Sequence, residues 1–297
     1  MKIVVSGSSG LIGSAFVREA LKNNHEVIKL VRRAPQSPDE SQWDPIKGTM
    51  DASVLQKTGA VVHLAAAGVG DHRWTKKYKK EILDSRVKST QTLANAITSI
   101  NNPPSVFVSA SAMGFYGDTG DQAVDENTGL GEGFLADVVF NWEYAAQKVR
   151  DNGIRVVHPR SGLVMSKRGG LLKKLIPFFK LGIGGQLGNG KQYMSYISLE
   201  DEVRALFHLI DDVRLTNGVN LTTPNPVTNK EFTKAFASVL NRPALMRVPA
   251  IALKIAFGEF SIEALGSNRV LPSKLSASGF VFNNPDILKT LISAIKY

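Results

Sequence analysis

Ile3-Val4-Val5 runs into Gly7-Ser8-Ser9-Gly10-Leu11-Ile12-Gly13 and on into Ser14-Ala15-Phe16-Val17. A short β-branched run, a glycine-rich turn and a helix start, in that order, read as a strand-turn-helix unit that holds a phosphate. Gly7 supplies the positive φ of a tight turn, and Gly10 lets backbone approach a pyrophosphate. Gly13 lets the first helix pack closely on the first strand. Ser9, Leu11 and Ile12 lie between these glycines and are expected at the same pyrophosphate site. The helix start adds unpaired N–H groups and the positive end of its dipole. The spacing is G-x-x-G-x-x-G, which taken without its flanks would also suit a plain flexible turn.

The next apolar run, His25-Glu26-Val27-Ile28-Lys29-Leu30-Val31, reads as a second strand and exits into Arg32-Arg33, twenty residues past Gly13. An NAD site places an acidic residue here for the adenosine ribose, whereas guanidiniums suit a 2′-phosphate. No acidic residue lies between Val27 and Gln36. The expected cofactor is therefore NADP, held in part by Arg32 and Arg33.

The chain has 297 residues, 43% of them hydrophobic and 21% charged, enough for one large domain or two modest ones. No apolar run reaches the ~18 residues of a membrane span, and the glycine turn interrupts the N-terminal run where a signal peptide would continue. No membrane partner is expected. Cysteine is absent, which excludes disulfides and thiolate chemistry and fits a reducing, cytoplasmic setting. The net charge of +10 is scattered in short pairs such as Lys76-Lys77, Lys79-Lys80 and Lys173-Lys174. Without aromatic interleaving or a recognisable motif, no nucleic-acid partner is expected. The five histidines lack metal-ligand spacing, so no metal site is expected, and no G-x-S-x-G elbow is present.

Strand and helix signals alternate through the first half. A polar stretch from Ala34 to Gly48 precedes a buried strand at Ala60-Val61-Val62-His63-Leu64. A helix follows at roughly 75–99, then a strand at Val106-Phe107-Val108 and a glycine-rich loop over 114–133. A helix over about 134–150 ends at Asp151-Asn152-Gly153, and Ile154-Arg155-Val156-Val157 is strand five. This alternation predicts an α/β fold, a doubly wound parallel sheet with its ligand at the carboxyl ends of the strands. Beyond Pro159 the pattern loosens, with helical segments around 199–210, 230–240 and 250–265. The expected division is a dinucleotide-binding domain over 1–165, with a return segment near 195–225, and a mainly substrate-binding lobe over 166–297.

The GSSGLIG turn, Val61-Val62-His63-Leu64-Ala65-Ala66, and the run from Val106 through Ser109-Ala110-Ser111-Ala112 to Tyr116-Gly117 resemble extended short-chain dehydrogenase/reductases of the sugar-nucleotide epimerase type. Arg73-Trp74, Asp84-Ser85-Arg86-Val87, Trp142-Glu143, Arg160-Ser161-Gly162, the run 184–190, Leu221-Thr222-Thr223-Pro224-Asn225-Pro226 and Arg269-Val270-Leu271-Pro272 are similar to an uncharacterised epimerase-like subfamily sometimes labelled cell-division-inhibitor-like. The resemblance covers nearly the whole chain. It implies a Rossmann fold with a C-terminal lobe and NADP. It further implies cofactor contacts from Leu64, Ala65, Ala66, Ser109, Arg160 and Ser161, and a possible homodimer.

The same resemblance exposes a departure. Ordinary extended members carry Tyr-x-x-x-Lys followed by Glu four residues after the Lys, the Tyr exchanging a proton with the substrate oxygen. With Glu143 as that Glu, the Tyr and Lys positions fall at Leu135 and Val139, and neither side chain transfers protons. A Tyr-x-x-x-Lys does occur, Tyr144 to Lys148, but nine residues later than this register, ~13 Å along a helix. It reads as a surface or packing pair, or as the dyad if the register is misplaced. The remaining catalytic candidates are Ser111, at the family's serine position, and Tyr116. His72, Arg73, Lys191 and Arg269 are weaker candidates for the cleft. Two functions stay open: an NADP-dependent oxidoreductase or epimerase-like enzyme on a small polar or nucleotide-linked substrate, or an NADP-binding sensor or partner-binding protein with little catalysis.

Overall fold

Alternate residues of the first strand belong to different cores, and that alternation builds the molecule. In a computed structural model describing residues 1–296, Ile3 and Val5 pack with Phe16, Ala20, Val203, Leu206 and Leu209, whereas Val4 packs with Leu93, Ala94, Ile97 and Phe107. A strand buried on both faces cannot alternate apolar with polar. This is why these strands read as continuous Val/Ile runs.

Among the described residues the main sheet has seven parallel strands: β1 (Lys2–Ser6), β2 (Glu26–Val31), β3 (Glu40–Asp44), β4 (Ala60–His63), β5 (Val106–Ser109), β6 (Arg155–Ser161) and β7 (Asn217–Leu221). Their order is β3-β2-β1-β4-β5-β6-β7, the dinucleotide-binding order extended by one strand. Thr49–Met50 turns back antiparallel on β3, and Ser111–Ala112 adds a short pairing to β6. Helices α1 (Leu11–Lys22), α2 (Lys76–Thr98), α3 (Phe134–Tyr144), α4 (Gln147–Asp151), α5 (Gly170–Lys180), α6 (Leu199–Asp211) and α7 (Asn229–Leu240) follow in chain order. α1 and α6 pack on one face of the sheet, and α2 and α4 on the other.

A third core joins α5, α7 and the C-terminal helix Ile287–Lys296 through Leu172, Phe179, Phe232, Phe236 and Leu291. Tyr297, the last residue of the expected lobe, lies outside the described residues. No helix among the described residues is long and apolar enough to cross a membrane.

The structure departs from the sequence reading at several elements. Strand β3 lies inside the polar stretch 34–48; Trp43 is its one large buried apolar side chain, too little for a period to show. The helix expected over 134–150 breaks at Ala145-Ala146, and the segment 250–265 divides into helical pieces at 250–257, 258–260 and 261–265. Helix α5 begins at Gly170 with a positive φ of 61° and contains Pro177. Those punctuation marks concealed it.

Candidate functional site

The glycine turn sits where β1 feeds α1. Gly7 has φ 71°, and a Cβ there would lie 2.7 Å from the backbone N of Ala65. The turn therefore presses directly on the segment after β4, so that Leu64 and Ala65 meet it. A Cβ on Gly13 would come within 2.1 Å of the Gly7 carbonyl oxygen, which fixes how closely the helix seats. Gly10 is exposed and caps α1 in an extended conformation; no side chain caps this terminus and no acid lies in its first turn. The first amides of α1 thus present donors and partial positive charge with no acid in that turn to neutralise them. Ser9, Gly10 and Ala66 are exposed beside this terminus, while Leu11 and Ile12 are half-buried.

The two arginines at the exit of β2 differ. Arg33 forks onto Glu40 with two 2.8 Å bonds from Nη1 and Nη2, and the amide of Gln36 donates to the same carboxylate at 2.8 Å. Arg33 and these hydrogen bonds hold the Glu40 carboxyl down at about 2. Arg32 is exposed and has no ion-pair partner among the described residues. The acid that faces the arginines comes from β3, the strand hidden from the sequence reading, and Arg33 neutralises it. One guanidinium, that of Arg32, remains open to a phosphate.

At the ends of β5 and β6 a buried polar chain assembles. The Ser111 hydroxyl donates to Glu143 Oε1 at 2.6 Å. Arg160 clasps the same carboxylate through Nε (2.8 Å) and Nη2 (2.9 Å), and its Nη1 donates to the Tyr116 hydroxyl at 3.0 Å. Tyr116 in turn donates to Asn220 Oδ1 at 2.8 Å, and Asn220 Nδ2 to the Leu271 carbonyl at 2.9 Å. Burial pushes the Glu143 carboxyl up, but Arg160, His158 and the Ser111 bond outweigh it and leave it below the usual range. Gly218 on β7 leaves room for the guanidinium: a Cβ there would stand 2.6 Å from Arg160 Cζ.

This polar chain takes up two of the expected site residues. Arg160 is 6% exposed, and its three nitrogens reach Glu143 and Tyr116, so it holds the frame of the site. Tyr116 is 4% exposed, its hydroxyl is fixed between Arg160 and Asn220, and burial raises its pKa. It ties the 113–116 turn to β6 and β7. Ser111 stays at the head of the chain, 5% exposed, with its proton directed at Glu143. Ser109 is fully buried and its hydroxyl is unpartnered among the described residues. Ser161 is half-buried on the other face of β6, donating to Glu202 at 2.5 Å.

Leu135, Val139 and Glu143 share one face of α3, and that face abuts the 111–116 segment. A Cβ on Gly114 would lie 3.3 Å from Leu135 Cβ and 3.9 Å from Val139 Cγ2, and Glu143 takes the Ser111 proton. Apolar side chains therefore stand where this register places the Tyr and Lys. Tyr144 is 66% exposed and stacks on Phe140, while Lys148 donates to Asn95 at 2.8 Å. That pair is a surface feature. His72 is exposed and meets Tyr78 edge-on, Arg73 donates to the Ile255 carbonyl and Arg269 to the Asp121 carbonyl. Lys191 is exposed.

Several residues of this region escaped the sequence reading. Glu143 entered it only as a register marker, and Asn220 and Glu202 carried no signal, since each acts through a partner over 40 residues away. His63 is buried between the hydroxyls of Ser6 (2.5 Å) and Ser89 (3.0 Å), and burial drives its pKa down to about 3. It is a neutral bridge between strand and helix.

The comparisons agree with this geometry. The NAD dependent epimerase/dehydratase family matches residues 3–221, and a domain of unknown function, DUF1731, matches residues 248–293. An epimerase family protein of Mycobacterium bovis is 43% identical over 97% of this chain and 96% of its own length. The crystal structure of the human epimerase family protein SDR39U1 with NADPH superposes with a TM-score of 0.91 at 29% identity, covering 100% of this chain and 99% of that one. A nucleoside-diphosphate sugar epimerase from Corynebacterium glutamicum gives 0.82 at 31% identity over 99% of this chain and 58% of its own. With the sheet order, the glycine turn and a match spanning most of its length, this chain belongs to the NAD dependent epimerase/dehydratase family.

Proposed function

We propose that this protein is an NADPH-dependent oxidoreductase or epimerase-like enzyme acting on a small polar or nucleotide-linked substrate, with no Tyr-Lys dyad. The observation that carries the cofactor is the pairing of an uncapped α1 terminus with a free Arg32 beside a neutralised Glu40. The human relative crystallised with NADPH supports the same choice. Gly7, Gly10 and the first amides of α1 would hold the pyrophosphate, and Arg32 the 2′-phosphate. NADPH, when bound, supplies a hydride.

The chain's own part is proton and dipole placement. Ser111 donates to an ionised Glu143, so the lone pairs of its oxygen face away from that bond; it offers a substrate hydroxyl an acceptor, and offers a carbonyl a donor only after rotating. Arg160 keeps Glu143 ionised, which limits proton return from that carboxylate. Leu135 and Val139 keep that wall of the site apolar. The same two residues favour a second reading, an NADPH-holding sensor with little turnover.

Titration of the protein with NADPH and NADH, followed by deuteride transfer from 4,4-dideuterated NADPH to keto-sugar nucleotides, quinones and aldehydes and by epimer formation from sugar nucleotides with NADP+, separates these. Tighter NADPH binding with deuterium in a product supports the enzyme. Tight NADPH binding with neither transfer to any acceptor nor epimer formation supports the sensor, and tighter NADH binding overturns the cofactor assignment.

A further inference from the structure

Two long stretches of the chain carry no acid, and the fold lays them side by side. Residues 152–199 and 232–258 contain no Asp or Glu. Gly185–Leu187 of the first pairs in parallel with Met246–Val248 of the second, and Arg242 donates to the Lys180 carbonyl at 3.3 Å. The helix Ala250–Phe257 leaves this ribbon directly after Pro249.

Apolar side chains stand out from this face. Leu181, Ile183, Leu245, Met246, Ile251 and Ile255 are all exposed, Leu245 at 92% and Leu181 at 75%. The inward positions are already filled: α5 sends Phe179 into the third core, and the helix 250–257 buries Leu253 while Ile251 and Ile255 stay one turn apart on its outer side. Single exposed apolar residues are ordinary, whereas a group joined by one ribbon and helix marks an interaction surface. Lys180, Arg242, Arg247 and Lys254 stand among them, exposed and without an ion-pair partner among the described residues. The acids that bound the second stretch are occupied, Glu231 in the cap of α7 with Thr228 and Glu259 by Lys79 at 2.6 Å.

This combination selects among partners. A second copy docked about a two-fold axis would set these four cations against their own images. Side chains as open as Leu245 and Leu181 line no pocket, which sets aside a small ligand. An anionic bilayer meets both features, because its interface surrounds protruding apolar side chains while its phosphates take the cations. The expectation of no membrane partner rests on the lack of an apolar span, which bears on crossing a bilayer and not on lying against one.

We propose that this face lies on an anionic phospholipid surface, its six apolar side chains entering the interface and Lys180, Arg242, Arg247 and Lys254 meeting the phosphates. The proposal does not depend on which reaction the protein performs.

The test is co-sedimentation of the full chain with vesicles of phosphatidylcholine and phosphatidylglycerol in equal parts, and with vesicles of phosphatidylcholine alone. The expected result is saturable binding to the mixed vesicles, weakened by salt, and about tenfold weaker binding to phosphatidylcholine. Arg247→Ala and Lys254→Ala should each weaken binding about fivefold, and Leu245→Ser and Ile251→Ser about tenfold. An unchanged unfolding midpoint in each variant reports that it is folded. Because the chain has no cysteine, Leu245→Cys accepts a single environment-sensitive fluorophore, whose emission should shift to the blue on the mixed vesicles. No binding to the mixed vesicles, equal binding to both vesicle types, binding unmoved by these substitutions, or a label that stays in water while the protein binds would each overturn the proposal. A vesicle-free dimer that Leu245→Ser dissolves would overturn it too, by assigning the face to a second copy.

Discussion

Arg32 and Arg33 are neighbours of the same type with different chemistry, because one of them already has an anion. The Arg33 fork is satisfied by Glu40, so a 2′-phosphate gains most from Arg32, where no internal pair must first be broken. Arg32→Ser is expected to weaken NADPH by about 2 kcal/mol, some thirtyfold, and to leave NADH nearly unchanged. Arg33→Ala should act differently: it removes the closer of Glu40's two cationic partners, leaving Lys29 at 3.9 Å, and frees a carboxylate at the β2 edge to accept from ribose hydroxyls. The checking measurement is the NADPH/NADH affinity ratio of each variant; equal losses in both would mean that the two arginines act as one patch. The pair was legible in the sequence as a cofactor signal, but its asymmetry was not. Glu40 lies seven residues beyond Arg33 in a strand with one large apolar anchor, so nothing in local pattern brought the two together.

Elements meet through buried polar atoms as much as through the apolar cores. Helix α3 is fixed to β6 by the Glu143–Arg160 pair, β6 to the 113–116 turn by Tyr116, and that turn to β7 by Asn220. Removing one partner of a buried ion pair costs far more than the pair itself contributes, because the survivor is left charged and dry. Glu143→Gln is therefore expected to lower the unfolding free energy by about 3 kcal/mol, against about 1 kcal/mol for Tyr116→Phe, which removes only hydrogen bonds. Denaturant unfolding of both variants checks the ranking; equal losses would show that Arg160 is compensated elsewhere. The elements themselves were readable wherever strands are buried on both faces, as at Val61-Val62 and Val106-Phe107-Val108. They were not readable where function depends on distant pairing. Glu143 could be placed by counting from Arg160, yet its grip on Ser111 emerges only when α3 is laid across the strand ends. Helix α5 stayed hidden for a local reason: Gly170 and Pro177 look like loop punctuation, and the helix persists because Leu172 and Phe179 reach the third core.

At the scale of the whole molecule, buried titratable groups on the two faces of the sheet respond to pH in opposite directions. Burial pushes His63 down to about 3 and His158 down to about 4, from an ordinary 6.5. The unfolded chain then takes up these protons first, so the histidines contribute their full stability above pH 6.5 and lose it progressively as pH falls toward 4. Glu202 runs the other way. Burial, only partly offset by Ser161, raises its carboxyl from 4.5 to about 7, and its Oε2 has no partner among the described residues. Its stabilising share is complete below pH 4.5 and is lost as pH rises through 7, by about 3 kcal/mol. The native protein should accordingly be most stable between these limbs, near pH 6 to 7. Glu202→Gln isolates the alkaline limb, since a neutral amide bears any steric or hydrogen-bonding penalty equally at every pH. Relative to the parent protein, that variant is expected to gain up to about 3 kcal/mol in unfolding free energy between pH 5 and pH 8. Below pH 5 its acid-side decline, set by His63 and His158, should be retained. Urea unfolding at half-unit pH intervals measures both limbs; a difference curve that stays flat from pH 5 to pH 8 would mean that the Glu202 carboxyl titrates at an ordinary value and that a charge is tolerated on the α6 face of the sheet.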